Sequence, residues 1–260
     1  MPPRKQEAKV ADTAASKKQK QQQPQQQQPQ VPAPKLPKLV AKHGLELHGL
    51  YPEDAPTIYA LHNALSASEC SSLLAYLQSN CALTRVAHAQ TKSIAWRDVD
   101  RVEFVSPQLS AAVWAAIQAP LRAGLPATTS RGGVPEGLNA KWRVYRYKEG
   151  QGFGPHYDEE DACPATGRTS CYTLLLYLND VASGGETVFY RSRGREVAAV
   201  TPALGLVVVH AQGPDCLLHE GRPVGRGCEK WLLRSDVLAA PGPEPAGWEA
   251  EAEAEAGERA

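Results

Sequence analysis

The sequence predicts an α+β protein that is mainly β, with N-terminal helices flanking an antiparallel sandwich or barrel. Three observations support this fold class. Six short β-rich runs follow one another closely after position 141. Two earlier stretches carry apolar residues at helical spacing. The ends of the 260-residue chain are biased toward Gln, Pro and Lys at the start and toward Glu and Ala at the end, which is typical of disordered tails.

These changes in composition divide the chain into three parts. Residues 1–44 are predicted to be a disordered, solvated basic tail. As alternatives, its basic residues could serve as a nuclear localisation signal or could contact an anionic partner loosely. Residues 45–240 are the expected folded domain, long enough to bury on the order of 70% of its unfolded surface. Residues 241–260 alternate Glu and Ala after a Pro-rich break, and we expect a disordered acidic tail.

Charge and hydropathy limit the function classes. The 28 basic and 28 acidic residues balance, so no overall field attracts nucleic acid, and we expect no nucleic-acid partner. No apolar run reaches the ~18 residues that a membrane span requires. The first residues also lack the apolar segment of a secretory signal. We therefore expect no membrane association and an intracellular protein, cytoplasmic or nuclear; the oligomeric state is left open.

Cysteine usage agrees with that expectation. The six cysteines contain no CxxC pair, so a zinc knuckle or a thioredoxin-type motif is not indicated. In a reducing compartment they are expected to be free thiols that pack as small hydrophobes.

Two helices are predicted before the β-rich region. Ser66 and Glu69 form a capping-box pattern ahead of leucines at helical spacing. Pro107, directly after Ser106, suits the first position of a second helix. The charged cluster 96–101 between them is interpreted as a surface salt-bridge network, with a substrate rim as the alternative.

After the second helix, residues 124–137 are rich in Gly and Pro and predict a loop. The β-rich runs then begin, and turn residues such as Asn179-Asp180 and Ser183-Gly184-Gly185 separate them. The predicted strands are Trp142 to Lys148, Tyr172 to Leu178, Glu186 to Tyr190, Arg195 to Val200, Leu206 to His210 and Lys230 to Leu238.

Two histidines and an aspartate are the candidate metal ligands. His156 and Asp158 are two positions apart, so an extended strand directs both side chains to one face. With the distant His219 they would complete a set of two imidazoles and one carboxylate, which leaves coordination positions of iron(II) open. The His-x-Asp pair alone is a weak signal, and a hydrogen-bonded loop histidine beside a turn-forming aspartate is the alternative.

The surrounding motifs carry a resemblance to a known family. Five blocks occur in order: Tyr147 separated by eight residues from His156-Tyr-Asp158, then Thr173 to Asp180, Gly184 to Phe189, Pro202 to Gly205, and His219 to Val224 followed by Lys230-Trp231. Together they resemble the 2-oxoglutarate- and iron(II)-dependent oxygenases, and among these the prolyl 4-hydroxylase-like branch. The similarity covers about 138–238.

The resemblance implies a double-stranded β-helix, or jelly-roll, core at about 138–238. It implies that His156, Asp158 and His219 hold iron(II), and that 2-oxoglutarate and dioxygen take the open positions. Ascorbate is the usual reductant of the family. It also implies that Lys230 pairs with the distal carboxylate of 2-oxoglutarate and that the hydroxyl of Tyr147 contacts the co-substrate; a core tyrosine of the sheet is the alternative.

Lys230 departs from the family pattern. The family's basic residue stands ten positions after the distal histidine, whereas Lys230 stands eleven after His219 and Glu229 takes the usual place. A bulge in 225–228, which contains two glycines, would restore the register. Arg234 would then share a strand face with Lys230 and is the alternative cation, unless it forms a surface salt bridge.

The expected activity is that of a dioxygenase that hydroxylates an unactivated C–H bond and releases succinate and carbon dioxide. A protein or peptide substrate, most simply a prolyl residue, is expected, and a small molecule is the alternative substrate. Two other functional hypotheses stay open. One is a non-catalytic jelly-roll module that retains the metal, and the other is a cupin-like zinc or manganese protein.

Overall fold

Two helices pack on one face of a large antiparallel sheet in the computed structural model, which describes residues 35–127 and 133–240. All of these residues belong to one unit, 34–260. The predicted tails lie outside the described residues, except for 35–44. Leu36 and Leu39 already pack against the core, and Lys42 pairs with Glu69 at 2.6 Å. The packed part of the chain therefore begins before position 45.

Both predicted helices are present with the predicted caps. Helix α1 spans Ala67–Asn80, and its cap Ser66 forms a complete capping box with Glu69. Helix α2 spans Pro107–Gly124 and is capped by the side chain of Ser106. Their buried faces join one apolar cluster with the outer face of the sheet. The helices thus cover one side of the sheet and leave its other side to face inward.

Thirteen strands form the sheet in the described residues. In chain order they are β1 (Leu47–Tyr51), β2 (Ile58–Leu61), β3 (Thr84–His88), β4 (Arg97–Val105), β5 (Val134–Leu138), β6 (Lys141–Lys148), β7 (Gly152–His156), β8 (Ser170–Tyr177), β9 (Thr187–Arg191), β10 (Arg195–Val200), β11 (Val207–Ala211), β12 (Leu218–Gly221) and β13 (Glu229–Ala240). The six strands expected from the sequence correspond to β6, β8, β9, β10, β11 and β13.

The sheet follows the order β1-β2-β11-β8-β13-β6-β4-β7-β12-β9-β10, with β3 added to β4 and β5 added to β13. Every strand pair is antiparallel. The sheet curls so that residues of β9 and β10 share a second apolar cluster with inward-facing residues of β2, β6, β8, β11 and β13. The mainly β jelly-roll predicted from the sequence is confirmed.

The loop predicted at 124–137 is correct only in part. Val134–Leu138 forms β5, which pairs with the end of β13. Gly137 has a φ of +82° inside this strand, and Pro135 and Gly137 belong to an irregular, bulged pairing. Residues 128–132 of the predicted loop lie outside the described residues. The charged cluster at 96–101 also enters a strand, because β4 begins at Arg97.

All six cysteines are free, as expected. Neither helix in the described part of the chain combines the length and the apolar character that crossing a membrane demands.

Candidate active site

The alternation of side chains along three neighbouring strands builds the polar interior. On β13, Leu233 and Val237 join the cluster under the helices, whereas Leu232 joins the inner cluster. Lys230 and Arg234 differ from Leu232 by two positions, so they face the interior too. On β11 the same alternation turns His210 inward beside Val208. The apolar strand sequence thus positions a few polar side chains inside the jelly roll.

The three candidate ligands meet in this interior. His156 ends β7 and His219 lies in β12, and the two residues are direct partners across the β7–β12 ladder. Asp158 follows two residues after β7. Its oxygens lie 3.8 Å from Nε2 of His156 and 3.6 Å from Nε2 of His219. The three donor atoms all lie within 4.8 Å of one another, so the structure brings together the set expected from the sequence.

Hydrogen bonds orient both imidazoles for binding through Nε2. The carbonyl oxygens of Gly154 and Leu217 lie 2.9 Å from Nδ1 of His156 and of His219, respectively. A carbonyl only accepts, so each Nδ1 donates its hydrogen, and Nε2 is the nitrogen of each ring that could bind a metal. Two neutral imidazoles and a carboxylate, each oriented in this way, are a donor set that fits iron(II).

Asp158 is held as a carboxylate. Arg234 donates to its Oδ1 at 2.8 Å, and the hydroxyl of Thr173 donates to its Oδ2 at 2.8 Å. Burial acts to raise the pKa of Asp158, but Arg234 and His219 outweigh it and hold the pKa well below its usual range. Arg234 also lies 3.6 Å from Asp236. The guanidinium therefore bridges two carboxylates and orients the one that would bind a metal.

Charge is divided unevenly among the histidines of this site. Burial and the neighbouring His219 lower the pKa of both His156 and His210 to about 3. Burial also opposes a charge on His219, but Asp158 and Cys216 outweigh it and raise the pKa of His219 to about 9. A bound metal ion would displace this proton, because a ligating nitrogen must be unprotonated.

Lys230 is a buried amine at the inner end of the same cavity. Only 1% of the residue is exposed, and Nζ donates to the carbonyl oxygen of Gly185 at 2.8 Å. Burial lowers the pKa of Lys230 to about 7, while Glu186 acts to raise it. A turn before β13, in which the backbone N–H of Cys228 donates to the carbonyl oxygen of Gly225, lies between His219 and Lys230.

One cavity is lined by the three candidate ligands together with Tyr147, Lys230 and Arg234. The ring centroid of Tyr147 lies 4.5 Å from Nζ of Lys230. Burial raises the pKa of Tyr147 above its ordinary value, so its hydroxyl stays protonated and able to donate. The six site residues expected from the sequence thus surround one cavity. Arg234 is paired with Asp158. Among the described residues, no carboxylate lies within salt-bridge distance of Lys230.

Three polar neighbours of the site were missed in the sequence. In the sequence, Thr173 stands out only as part of a motif, and His210 only as the end of a predicted strand. Cys216 was treated as a small hydrophobe, yet its Sγ accepts from the backbone N–H of Asp158 at 3.2 Å. A signal existed for His210, because it is a polar residue that ends the apolar run Leu206 to Val209.

This arrangement defines a class of protein. A jelly roll whose interior holds two imidazoles and a carboxylate, with a separate buried cation in the same cavity, is typical of non-haem iron(II) oxygenases. Residues 142–235 match the model of the 2OG-Fe(II) oxygenase superfamily. This part of the chain is similar to that superfamily, and the curated relatives that it resembles are named as prolyl 4-hydroxylases.

Curated relatives resemble part of the chain. Probable prolyl 4-hydroxylase 3 of Arabidopsis thaliana is 31% identical over 121 residues, which cover 38% of this chain and 42% of the relative. Prolyl 4-hydroxylase 5 of the same plant is 43% identical over 54 residues, which cover 20% of this chain and 19% of the relative. The chain thus spans less than half the length of these relatives.

Solved structures share the fold. A viral collagen prolyl hydroxylase from Paramecium bursaria chlorella virus-1 aligns with a TM-score of 0.51 and 20% identity over 72% of this chain and 98% of that chain. A prolyl hydroxylase from Trichoplax adhaerens, in complex with a hypoxia inducible factor peptide fragment, aligns with a TM-score of 0.50 and 16% identity over 70% and 83% of the two chains.

Proposed function

We propose that this protein is an iron(II)- and 2-oxoglutarate-dependent dioxygenase that hydroxylates an unactivated C–H bond. The substrate that we propose is a protein or peptide, most simply a prolyl residue within it. The observation that carries the proposal is the joint position of the donor set and the buried Lys230 in one cavity. A metal-binding set alone would suit many chemistries, whereas the additional cation matches a dianionic co-substrate.

The metal would be held by Nε2 of His156, Nε2 of His219 and the carboxylate of Asp158. When bound, iron(II) would activate dioxygen so that one oxygen atom enters the C–H bond and the other converts 2-oxoglutarate to succinate and carbon dioxide. Arg234 and Thr173 keep the carboxylate deprotonated and oriented. The three ligands carry a single negative charge, so with iron(II) the centre would keep a net positive charge that attracts an anionic co-substrate.

Lys230 and Tyr147 would receive the distal carboxylate of 2-oxoglutarate. The ammonium of Lys230 lies in a cavity from which water is largely excluded, where a charge-assisted hydrogen bond is strong. The protonated hydroxyl of Tyr147 can donate a second hydrogen bond. Arg234 is less suited to this role, because its guanidinium already pairs with Asp158 at 2.8 Å. This proposal therefore assigns the distal carboxylate to Lys230 and not to Arg234.

The oxygenase domain that we propose is 45–240, with the packed residues 35–44 added at its start and the jelly-roll core at about 138–238. The flanking segments 1–34 and 241–260 are proposed as tails. Six free cysteines suit a reducing compartment, which supports an intracellular site of action, cytoplasmic or nuclear.

The test is release of succinate from 2-oxoglutarate by the purified protein with iron(II), dioxygen and ascorbate. Peptides that contain proline would be supplied in parallel, and the products would be searched by mass spectrometry for a gain of one oxygen atom. The proposal predicts succinate release that peptide substrate stimulates, with the oxygen on the peptide. Lys148→Met, which changes a largely exposed lysine outside the cavity, is the matched control for variants of Lys230.

A non-catalytic module is the competing function. It predicts that metal and 2-oxoglutarate bind but that no succinate forms, coupled or uncoupled, across the peptide panel. Succinate formation with a small molecule, and not with any peptide, would support the oxygenase activity and reject a peptide substrate.

A further inference from the structure

Three arginines project from the hairpin that joins β9 to β10. They are Arg191, Arg193 and Arg195, all three are exposed, and we call them the arginine tip. Among the described residues, none of the three has a carboxylate within salt-bridge distance, whereas the neighbouring Arg222 pairs with Glu196 at 2.6 Å. The arginine tip therefore carries three positive charges that the described residues do not neutralise.

The local structure does not favour arginine at these positions. Arg191 and Arg195 are direct partners across the β9–β10 ladder, and like charges that stand opposite each other destabilise a sheet. Arg193 has a φ of +65°, in the left-handed region that Gly, Asn and Asp adopt far more readily. The stability of the hairpin thus does not account for the three charges, whereas an anionic partner would.

The arginine tip lies at the open end of the active-site cavity. His156 pairs with His219 across β7 and β12, and His219 pairs with Phe189 across β12 and β9, so the three residues lie side by side. Since β7 and β9 are both antiparallel to β12, they run in the same direction. The next residue on β7 is Tyr157, which is 62% exposed, so this direction leads to solvent. Arg191 lies two residues past Phe189 on β9, about 7 Å further toward the opening.

Strand alternation turns two of the arginines toward the cavity side of the sheet. Thr187 lines the cavity, Phe189 joins the inner apolar cluster, and Arg191 follows at the same interval of two residues. Arg195 stands opposite Arg191 and therefore on the same face. Val197, two residues further on β10, packs against the inner cluster as well. The two guanidinium groups consequently border the opening of the cavity and do not belong to a separate surface.

We propose that Arg191 and Arg195 bind an acidic side chain of the peptide substrate, so that the enzyme selects peptides with a glutamate or an aspartate near the hydroxylated residue. This inference rests on the proposed function and names a substrate class for it. A guanidinium group forms a bidentate pair with a carboxylate, and the two arginines present two such groups. A distance of about 7 Å equals about two residues of an extended peptide at ~3.1 Å per residue, and the arginine side chains add to that reach. The acidic residue is therefore expected about two to four positions from the hydroxylated one.

The experiment compares peptides that differ only in charge. Three fluorescent peptides with a central proline carry Glu, Gln or Lys two to four positions from the proline on both sides. Their dissociation constants are measured by anisotropy at low ionic strength, without dioxygen, on the full chain with Mn(II) and 2-oxoglutarate. We expect the Glu peptide to bind ~3-fold to ~30-fold more tightly than the Gln peptide, and added salt to reduce this preference.

Substitutions of the two arginines should change the preference in opposite ways. Arg191→Gln combined with Arg195→Gln should abolish it, because no charge then faces the peptide. Arg191→Glu combined with Arg195→Glu should transfer it to the Lys peptide. Arg226→Gln is the matched control and should keep the preference for Glu, because Arg226 is exposed too but lies in the turn before β13, at the Lys230 end of the strands.

Equal affinity of the unsubstituted protein for the Glu and Gln peptides would overturn the proposal, as would a preference that survives both double substitutions. Equal peptide affinities together with binding of a single-stranded oligonucleotide that the double Gln variant loses would replace it with a nucleic-acid site. The comparison in the unsubstituted protein decides even if a variant does not fold. Peptide binding needs no turnover, so a preference for Glu without succinate release rejects the proposed activity alone, and succinate release with equal affinities rejects this inference alone.

Discussion

Lys230→Met is the substitution that most sharply separates binding of the co-substrate from stability of the fold. Methionine keeps the length and apolar stem of the side chain but removes the ammonium. Burial lowers the pKa of Lys230 from 10.5 to about 7. This difference corresponds to about 5 kcal/mol, the free energy needed to charge the buried amine. A bound carboxylate would offset this free energy.

Removal of one partner from a buried ion pair costs about 3–5 kcal/mol. We therefore expect Lys230→Met to weaken 2-oxoglutarate binding by ~10²-fold to ~10⁴-fold, with metal binding unchanged. The assay is calorimetric titration of Mn(II)-loaded protein with 2-oxoglutarate. Lys148→Met should bind as the unsubstituted protein does, because that lysine is largely exposed.

The pH dependence supplies a second readout. Above pH 7 the free amine of Lys230 is neutral, so 2-oxoglutarate binding must take up a proton and affinity should fall about tenfold per pH unit. The unfolded chain keeps this lysine protonated up to about pH 10.4, so it binds more protons than the folded chain does. The free energy of unfolding should consequently rise by about 1.4 kcal/mol per pH unit above pH 7, relative to Lys230→Met.

If Lys230→Met binds 2-oxoglutarate within about threefold of the unsubstituted protein and shows the same pH dependence, the assignment of the cation is refuted.

Three other substitutions test separate parts of the structure. His219→Ala should abolish iron(II) binding and turnover, because two remaining ligands do not hold the metal; titration of the metal-free protein checks this. Arg234→Met should lower iron(II) affinity by ~10-fold to ~100-fold, because Arg234 orients Asp158. Loss of 2-oxoglutarate affinity with iron(II) affinity unchanged would contradict this role of Arg234. Gly205→Ala should unfold the protein or cost more than about 3 kcal/mol in a denaturant titration, because the added Cβ would lie 2.0 Å from the carbonyl oxygen of Leu65. Gly194→Ala has a similar φ and open space, so only about 1 kcal/mol is expected.

The elements that the sequence predicted depend on local signals. The capping box of Ser66 and Glu69 and the proline at position 107 mark both helix starts, and apolar runs mark β8, β11 and β13. In contrast, β7 reads Gly-Phe-Gly-Pro-His and β12 has four residues. Neither shows a strand pattern, because their pairing depends on neighbours that are distant in the chain.

The residues of the site likewise differ in whether the sequence reveals them. His156 and Asp158 were recognisable because they are two residues apart, and His219 and Lys230 because they fit a sequence of motifs. His210 and Thr173 are direct partners across the β8–β11 ladder, and this register brings both to Asp158. A register between strands is not contained in the local sequence of either strand, so these two neighbours could not be assigned before the structure.

The measurement that tests the central claim most directly is an anaerobic titration of the metal-free protein with iron(II) and 2-oxoglutarate, followed by visible absorption. Chelation of iron(II) by the keto acid produces a charge-transfer band that neither component shows alone. We expect this band at one equivalent of each, its loss in His219→Ala, and a shift of its midpoint to higher 2-oxoglutarate concentration in Lys230→Met. Absence of the band from the unsubstituted protein at saturating iron(II) and 2-oxoglutarate would contradict the account.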